Sequence, residues 1–505
     1  MPCIAAYLRR GVAALEWVEA THPEAVVAVG RVGGGTWKDL CPRWRLEGDR
    51  IRLEIRQEGR CLAFWISAVQ PVPSGLRMPL YGRAASGDAV LVSWADSGAA
   101  PDPGRRDPLP AACTWVRHAL AGCRILSASR ASDRAHSLSG RYARIRARRM
   151  GSDCLILACG PDAEEDEAAA ILTQALLWRT QLGAAGVCKE PPEVLLLVPE
   201  GRSGTLWHRA TMVRRDQMKI EIREYAVQAS GAWEARMPEP PGEPCEDRDF
   251  RWPVTGPFRW SPALERVLNL APEQIRRYPK FHDYDSLRLL GLEFGRVFGA
   301  GRDRISFGLG PAQVELNEDN FAELRALVES ILYFRRPDSP SIEHPYYRLQ
   351  PERWLESLLL DDVARLFPEL VPGAVYSQIP VYLGKSPARV DILGVDHEGR
   401  LAVMELKADA DPEMPLQCLD YWGRVIGHNL RGDFERRKYF GSIRLSRDQP
   451  RVYLVAPVLS FHDATERLLG CLDPRLEAVK IGINEDWRCG IRILRRVRGR
   501  CGELL

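Results

Sequence analysis

No apolar run in this 505-residue sequence approaches the roughly 20 residues that a helix needs to cross a bilayer. The longest, such as residues 194–198, are far shorter, so no membrane span is expected. The start, Met1-Pro2-Cys3-Ile4, reaches its basic pair Arg9-Arg10 only after a short apolar stretch. That reverses the order of charge and apolar core in a signal peptide, and a cytoplasmic location is expected. Thirteen cysteines are scattered singly, odd in number and without a C-x-x-C pair. Buried free thiols are therefore expected in place of a disulfide framework or a zinc site. Net charge is small, with 70 basic against 67 acidic residues, so any surface for a polyanion has to be local. Lysine is scarce: only eight of the basic residues are Lys, a skew simplest to read as coding bias. A lysine at a chemically meaningful position gains weight from that scarcity.

What is present is a globular composition, 45% hydrophobic and 27% charged, in a chain too long for one ordinary core. Pro/Gly-rich stretches at 97–110, 231–262 and 336–351 are the candidate boundaries. Residues 1–96 alternate in the strand period, as at 51–55, and predict a small β-rich domain. The glycine run 33–35 lacks the Gly-Lys-Ser/Thr ending of a phosphate loop and is expected to be a turn. Residues 111–226 predict an α/β domain, with helical stretches at 115–120 and 168–182 and a strand at 194–198. Residues 263–335 carry amphipathic stretches at 286–298 and 320–334 around an extended 304–308, an α/β connector or subdomain. The last domain is expected over 351–505.

There, Leu355, Leu358, Leu359, Val363 and Leu366 recur at the helical period between Pro351 and Pro368. Glu352 and Glu356 lie four apart on one face of that helix, which is either a solvated face or the edge of a site. Three β-prone runs follow at 375–382, 389–395 and 400–407, the last two joined by Asp396-His397-Glu398-Gly399, a hairpin turn. Alternation puts Leu401, Val403, Glu405 and Lys407 on one face, with Asp391 able to join them from the neighbouring strand.

Two acids beside a lysine suit metal-assisted phosphodiester hydrolysis, because carboxylates hold Mg²⁺ while leaving waters in its shell. A lysine near that ion is expected to have a lowered pKa and to serve the water or the transition state. A salt-bridged strand end is the structural alternative. In the next helix, 415–430, Gln417, Tyr421, Arg424 and His428 form a second stripe suited to nucleic-acid contact. The basic runs Arg431, Arg436, Arg437, Lys438 and Arg492, Arg495, Arg496, Arg498, Arg500 could add phosphate contacts.

The order helix, three strands, helix, strand, with Asp391, Glu405-Leu406-Lys407 and Gln417-x-x-x-Tyr421, resembles the PD-(D/E)xK nuclease superfamily in its RecB-like branch, over about residues 352–483. The resemblance implies a restriction-endonuclease-like α-β-β-β-α-β core in an α/β multidomain chain. It also implies a metal, Mg²⁺ or Mn²⁺, on Asp391, Glu405 and the Leu406 carbonyl, and Lys407 at the nucleophile. Glu356 would complete or support the metal shell, and Gln417 and Tyr421 would position substrate. Val390 stands where the family name has proline. The expected function is a metal-dependent nuclease, with DNA as the favoured polymer in repair, restriction or defence. The competing reading is a nucleic-acid-binding or scaffolding protein that keeps the fold without turnover.

The middle of the chain is expected to repeat this architecture in degenerate form. The strand 153–159, the helix with Gln174 and Trp178, and the strand 194–199 follow the C-terminal order without its acids and lysine. Residues 158–160 are expected near the place of 405–407.

Overall fold

The computed structural model describes residues 107–501 apart from 188–191, 217, 229, 240–260, 280–283, 300–302, 310–312 and 384–385, with short stretches between residues 15 and 93. They fall into two compact units, Met1–Arg105 with Ser306–Arg348, and Arg106–Ile305 with Leu349–Leu505. The architecture is mixed α/β with several sheets. No described helix is long and apolar enough to cross a membrane. Most of the proline-rich stretches 97–110 and 231–262 lies outside the described residues.

In the first unit, strands Gly34–Thr36, Val26–Val29, Ala89–Ser93, Gly75–Pro79 and Gln70–Val72 pair in that order. Arg43–Glu47, Arg50–Gln57 and Arg60–Ile66 form an antiparallel meander containing the predicted 51–55 strand. The glycine run departs from the expected turn, because Gly34 and Gly35 are paired strand residues opposite Ala28 and Val27. Gly33 lies outside the described residues. The 320–334 stretch is the helix Phe321–Phe334, burying Phe321, Leu324, Leu327, Val328 and Ile331 at helical period.

In the second unit a middle module runs through helix α1 (Pro108–Ala119), strands β1 (Cys123–Ser129), β2 (Ala143–Arg149) and β3 (Ser152–Ala158), helix α2 (Glu165–Ala184), strand β4 (Glu193–Pro199), helix α3 (Gly204–Thr211), and strands β5 (Lys219–Val227) and β6 (Trp233–Arg236). The C-terminal module has the same succession: α4 (Pro351–Asp361), β7 (Leu370–Leu383), β8 (Ser386–Asp396), β9 (Leu401–Leu406), α5 (Met414–Leu430), β10 (Arg451–Pro457), α6 (Thr465–Gly470), β11 (Glu477–Ile483) and β12 (Ile493–Arg500). Both sheets follow chain order from edge to edge. In each, the third, fourth and fifth strands are parallel and the remaining pairs antiparallel.

The parallel strands are buried on both faces by helices, which is why 194–198 and 452–457 read as unbroken apolar runs without alternation. Pro351 opens α4 where its missing N–H costs nothing, and Pro368 follows the last helical turn before β7. The β8–β9 hairpin is made as predicted: Asp396 Oδ1 accepts from the amides of Glu398 (3.0 Å) and Arg400 (2.8 Å). Gly399 sits at φ +81°, where a Cβ would lie 2.2 Å from the Arg444 carbonyl oxygen, so no other residue fits.

Register aligns the two modules residue by residue. Pro199 and Pro457 end β4 and β10, and Leu197 and Val455, two residues earlier, pair with Ala158 and Leu406. Cys159 N then donates to Leu197 O and Lys407 N to Val455 O, each at 3.0 Å. Leu157, Ala158 and Cys159 therefore take the places of Glu405, Leu406 and Lys407, one residue earlier than predicted. On a strand that single step decides which face a side chain enters. The β2–β3 pair Arg144 and Leu157 corresponds to Asp391 and Glu405, reached by extending the β8–β9 register by one residue.

One hydrophobic core joins the modules, with Leu172 and Leu176 of α2, Leu416 and Val425 of α5, and Leu155, Leu157, Leu401 and Val403 of the sheets. Helix α2 is consequently buried almost all round between residues 168 and 178. Across this seam Arg209 of α3, 5% exposed, forks onto Asp420 of α5 at 2.8–3.2 Å and reaches Glu413 at 3.0 Å. Burial pushes all three groups towards neutrality. The carboxylates override it on Arg209, whereas Asp420 and Glu413 remain above their ordinary range. Arg209→Ala is expected to destabilise the fold by about 3–5 kcal/mol, because the acids are left buried without their cation. Adding Asp420→Ala should recover part of the loss. Urea titration of the wild type and both variants checks this; an unchanged midpoint for Arg209→Ala would show that the pair contributes nothing.

Candidate active site at the end of strand β9

The backbone of β9 stays in sheet register through the Lys407 amide. Alternation from Leu401 and Val403 delivers Glu405 to the α5 side, 3% exposed. Asp391, on β8, is held at two points. Its Oδ2 accepts from the Leu406 amide at 3.0 Å, and its Oδ1 accepts from Gln378 Nε2 at 3.3 Å. Lys407 Nζ lies 3.2 Å from Glu405 Oε1 and 3.1 Å from Asp411 Oδ2. Asp391, Glu405, Leu406 and Lys407 open onto a cavity of about 440 Å³, also lined by Glu352 and Arg353 of α4, Arg389 of β8, and Gln417 and Tyr421 of α5.

Burial, followed by the charge of Asp391, drives the Glu405 carboxyl well above its ordinary range. Burial also raises Asp391, against the pull of Arg353, the Leu406 amide and Lys407. At Lys407 burial acts to lower the pKa, but Glu405 and Asp411 raise it above the ordinary lysine value, and the ammonium lies between those two acids. Glu405 Oε2 is buried with no hydrogen-bond partner.

The predicted residues divide into three groups. Asp391, Glu405, Leu406, Lys407, Gln417 and Tyr421 are brought to one cavity. Glu356 is behind it, 2% exposed, 3.0 Å from Arg353 and 3.5 Å from Arg288. Burial lifts its carboxyl to about 7, with those two arginines opposing. Gln378 Nε2 spans the gap, donating to Glu356 as well as to Asp391. Glu356 thus reaches the site through an amide, and its helix neighbour Glu352 lines the cavity.

Arg424 and His428 do not share the stripe's predicted role. The helix turns them inward, to 5% and 0% exposure, and His428 Nδ1 lies 2.7 Å from Asp433 Oδ2. Four of the flanking bases are engaged within the fold. Arg431 and Arg436 pair with Asp433, Arg496 with Glu369 and Arg498 with Glu477. Eight described cysteines are free thiols, six of them buried, with Cys123 half-buried and Cys489 exposed.

Residues not anticipated from sequence are Gln378, Arg288, Arg353, Arg389 and Asp411. Gln378 adopts φ +56°, a left-handed conformation that costs a non-glycine residue of order 1–3 kcal/mol and gathers at functional sites. Arg288 arrives from a hairpin, Tyr284–Leu289 with Leu292–Phe298, which replaces the amphipathic stretch 286–298. Its turn glycine, Gly291 at φ +81°, is packed so closely on α4 that a Cβ would lie 2.1 Å from the Arg353 carbonyl oxygen.

Among the described residues no three His, Cys, Asp or Glu side chains converge as a metal cluster. The pair Asp391 and Glu405, with an orphaned carboxylate oxygen between burial and the cavity, nevertheless fits a hard cation that takes one or two carboxylates and completes its shell with water.

No family model matches this chain, and no curated protein matches it. Among solved structures it is similar to EndoMS in apo form, at 13% identity over 42% of this chain and 93% of that one, with a TM-score of 0.17. A likeness of that size carries no argument about activity.

Proposed function

We propose that the chain is a divalent-metal-dependent nuclease of the PD-(D/E)xK type that hydrolyses phosphodiester bonds of DNA. The observation that supports this reading is the meeting of Asp391, Glu405 and Lys407 at one cavity, with Glu405 Oε2 buried and unpartnered. Two like-charged buried acids are costly unless a cation shares them. Asp391, Glu405 and the Leu406 carbonyl would hold Mg²⁺ or Mn²⁺, and a bound ion supplies polarisation of the phosphate and acidification of water.

The chain's own residues do the rest. Lys407, charged and clamped by Glu405 and Asp411, donates to the attacking water or the phosphate oxygen. Gln378 and the Leu406 amide fix the Asp391 carboxylate. Gln417 and Tyr421 border the scissile group from α5, and Arg353 and Arg389 offer phosphate contacts at the rim.

The test is incubation of purified protein with circular and linear DNA, and with RNA, in Mg²⁺, Mn²⁺ or EDTA. Hydrolysis of DNA with either metal and none in EDTA is expected. Inactivity on both polymers with both metals would leave a nucleic-acid-binding protein of this fold.

A further inference from the structure

The middle and C-terminal modules meet as the halves of a symmetric dimer meet. Helix α3 packs on α5 and its counterpart α6 packs on α2, so each module lends the equivalent helix to the other. Beyond them the chain forms an isolated antiparallel bridge, Val213 against Leu472. Arg214 N donates to Cys471 O at 2.9 Å, and Asp473 N donates to Met212 O at 2.8 Å. Helices α3 and α6 end at Thr211 and Gly470, so Met212, Val213 and Arg214 correspond to Cys471, Leu472 and Asp473. A twofold rotation exchanges the two hydrogen bonds. This is the isologous contact of a C2 dimer, made within one chain.

The chemistry does not obey that symmetry. Arg144 takes the place of Asp391; it is 5% exposed and donates to the carbonyl oxygens of Ser139, at 2.7 Å, and Ala131. Leu157 and Cys159, in the places of Glu405 and Lys407, are 0% exposed in the shared core. The Cys159 carbonyl is capped by the Tyr225 hydroxyl at 2.9 Å. An arginine and two apolar side chains cannot hold a cation or a reacting water there.

We propose that the chain is a single-chain pseudo-dimer with one live centre, and that each engagement with duplex DNA cuts one strand and leaves a nick. The proposal rests on the nuclease reading above. The strands of a duplex are related by twofold axes, and a symmetric dimer matches them by presenting equivalent halves. Here one half keeps the frame and has lost the chemistry. At the live centre a water oxygen bonds to phosphorus and the P–O bond to one sugar breaks. One water proton ends on the departing sugar oxygen, the other enters solvent, and a phosphomonoester is left beside a hydroxyl. The inert half keeps a structural part, since its Arg209 grips α5, which carries Gln417 and Tyr421.

The experiment is a time course of the full chain on supercoiled plasmid in Mg²⁺ and in Mn²⁺, with linear DNA and RNA in parallel and the protein's mass measured at the same concentration. A monomer that yields nicked circle as essentially the whole first product, with linear DNA only later, is the expected result. Linear DNA as the first product overturns the proposal and leaves the nuclease reading standing. So does degradation of linear DNA with the circle untouched, whereas cleavage of RNA alone overturns the proposal together with DNA as the substrate. No hydrolysis of any polymer overturns both.

Discussion

Exchange of Lys407 for arginine is expected to lower the cleavage rate about 100-fold, the scale on which a misplacement of about 1 Å acts, while DNA affinity changes less than about twofold. Positive charge is retained, and arginine is the base this chain otherwise prefers, so the substitution separates position from charge. Lys407 Nζ is a compact donor held 3.2 Å from Glu405 and 3.1 Å from Asp411, with its side chain 17% exposed. A planar guanidinium between the same acids would satisfy them with a fork and leave its remaining N–H groups in the wrong place. Initial cleavage rates beside gel-shift affinities at fixed salt provide the measurement. Near-normal cleavage would show that Lys407 contributes only a charge.

The part of the site visible in sequence is the part carried by short-range periodicity. Glu405 and Lys407 are two apart on one strand, and Gln417 and Tyr421 four apart on one helix. Spacing of that kind fixes a face directly, and all four line the cavity. Arg424 and His428 continue the same helical stripe, yet α5 packs along its far end as well as its near one and takes them into the interior. Periodicity says which residues share a face, and tertiary packing decides how much of that face meets solvent. Gln378 and Arg288 were beyond reach for a different reason. Their contacts with Glu356 span 22 residues for Gln378 and 68 for Arg288, and no local pattern encodes such a distance.

The internal repeat shows the same boundary. The strand, helix and strand between residues 153 and 199 of the middle module are legible in its apolar runs, because strands buried on both faces carry a strong signal, whereas α3, β5 and β6 carry no such mark. The one-residue error at Ala158 arose because an apolar run has no alternation to mark its register. Only the hydrogen bond from Cys159 N to Leu197 O fixes which residue stands in the place of Lys407. Loss of the acids there also explains why burial is complete: Leu157 joins the core at the position where Glu405 keeps an unpartnered oxygen.

That contrast leads to the second large effect. Glu405→Gln keeps shape and removes the charge, so cleavage is expected to fall by about 10³-fold, equivalent to about 4 kcal/mol of lost transition-state stabilisation. Stability of the metal-free protein should move the other way, because a buried charge beside Asp391 disappears while Lys407 retains Asp411 at 3.1 Å. A gain of about 1 kcal/mol, or about 1–2 °C in Tm for a unit of this size, is the expected scale. Wild type should also gain about 2.7 kcal/mol from Mg²⁺ at 100 times its Kd by mass action, and the variant should gain almost none. Thermal melts of both proteins in EDTA and in a Mg²⁺ series read the two stability effects without reference to activity. A variant that melts several degrees lower in EDTA would make Glu405 a structural partner of Lys407. A variant that keeps the full Mg²⁺ shift would remove Glu405 from the proposed ligands, since a carboxylate that binds the ion must lose that shift with its charge.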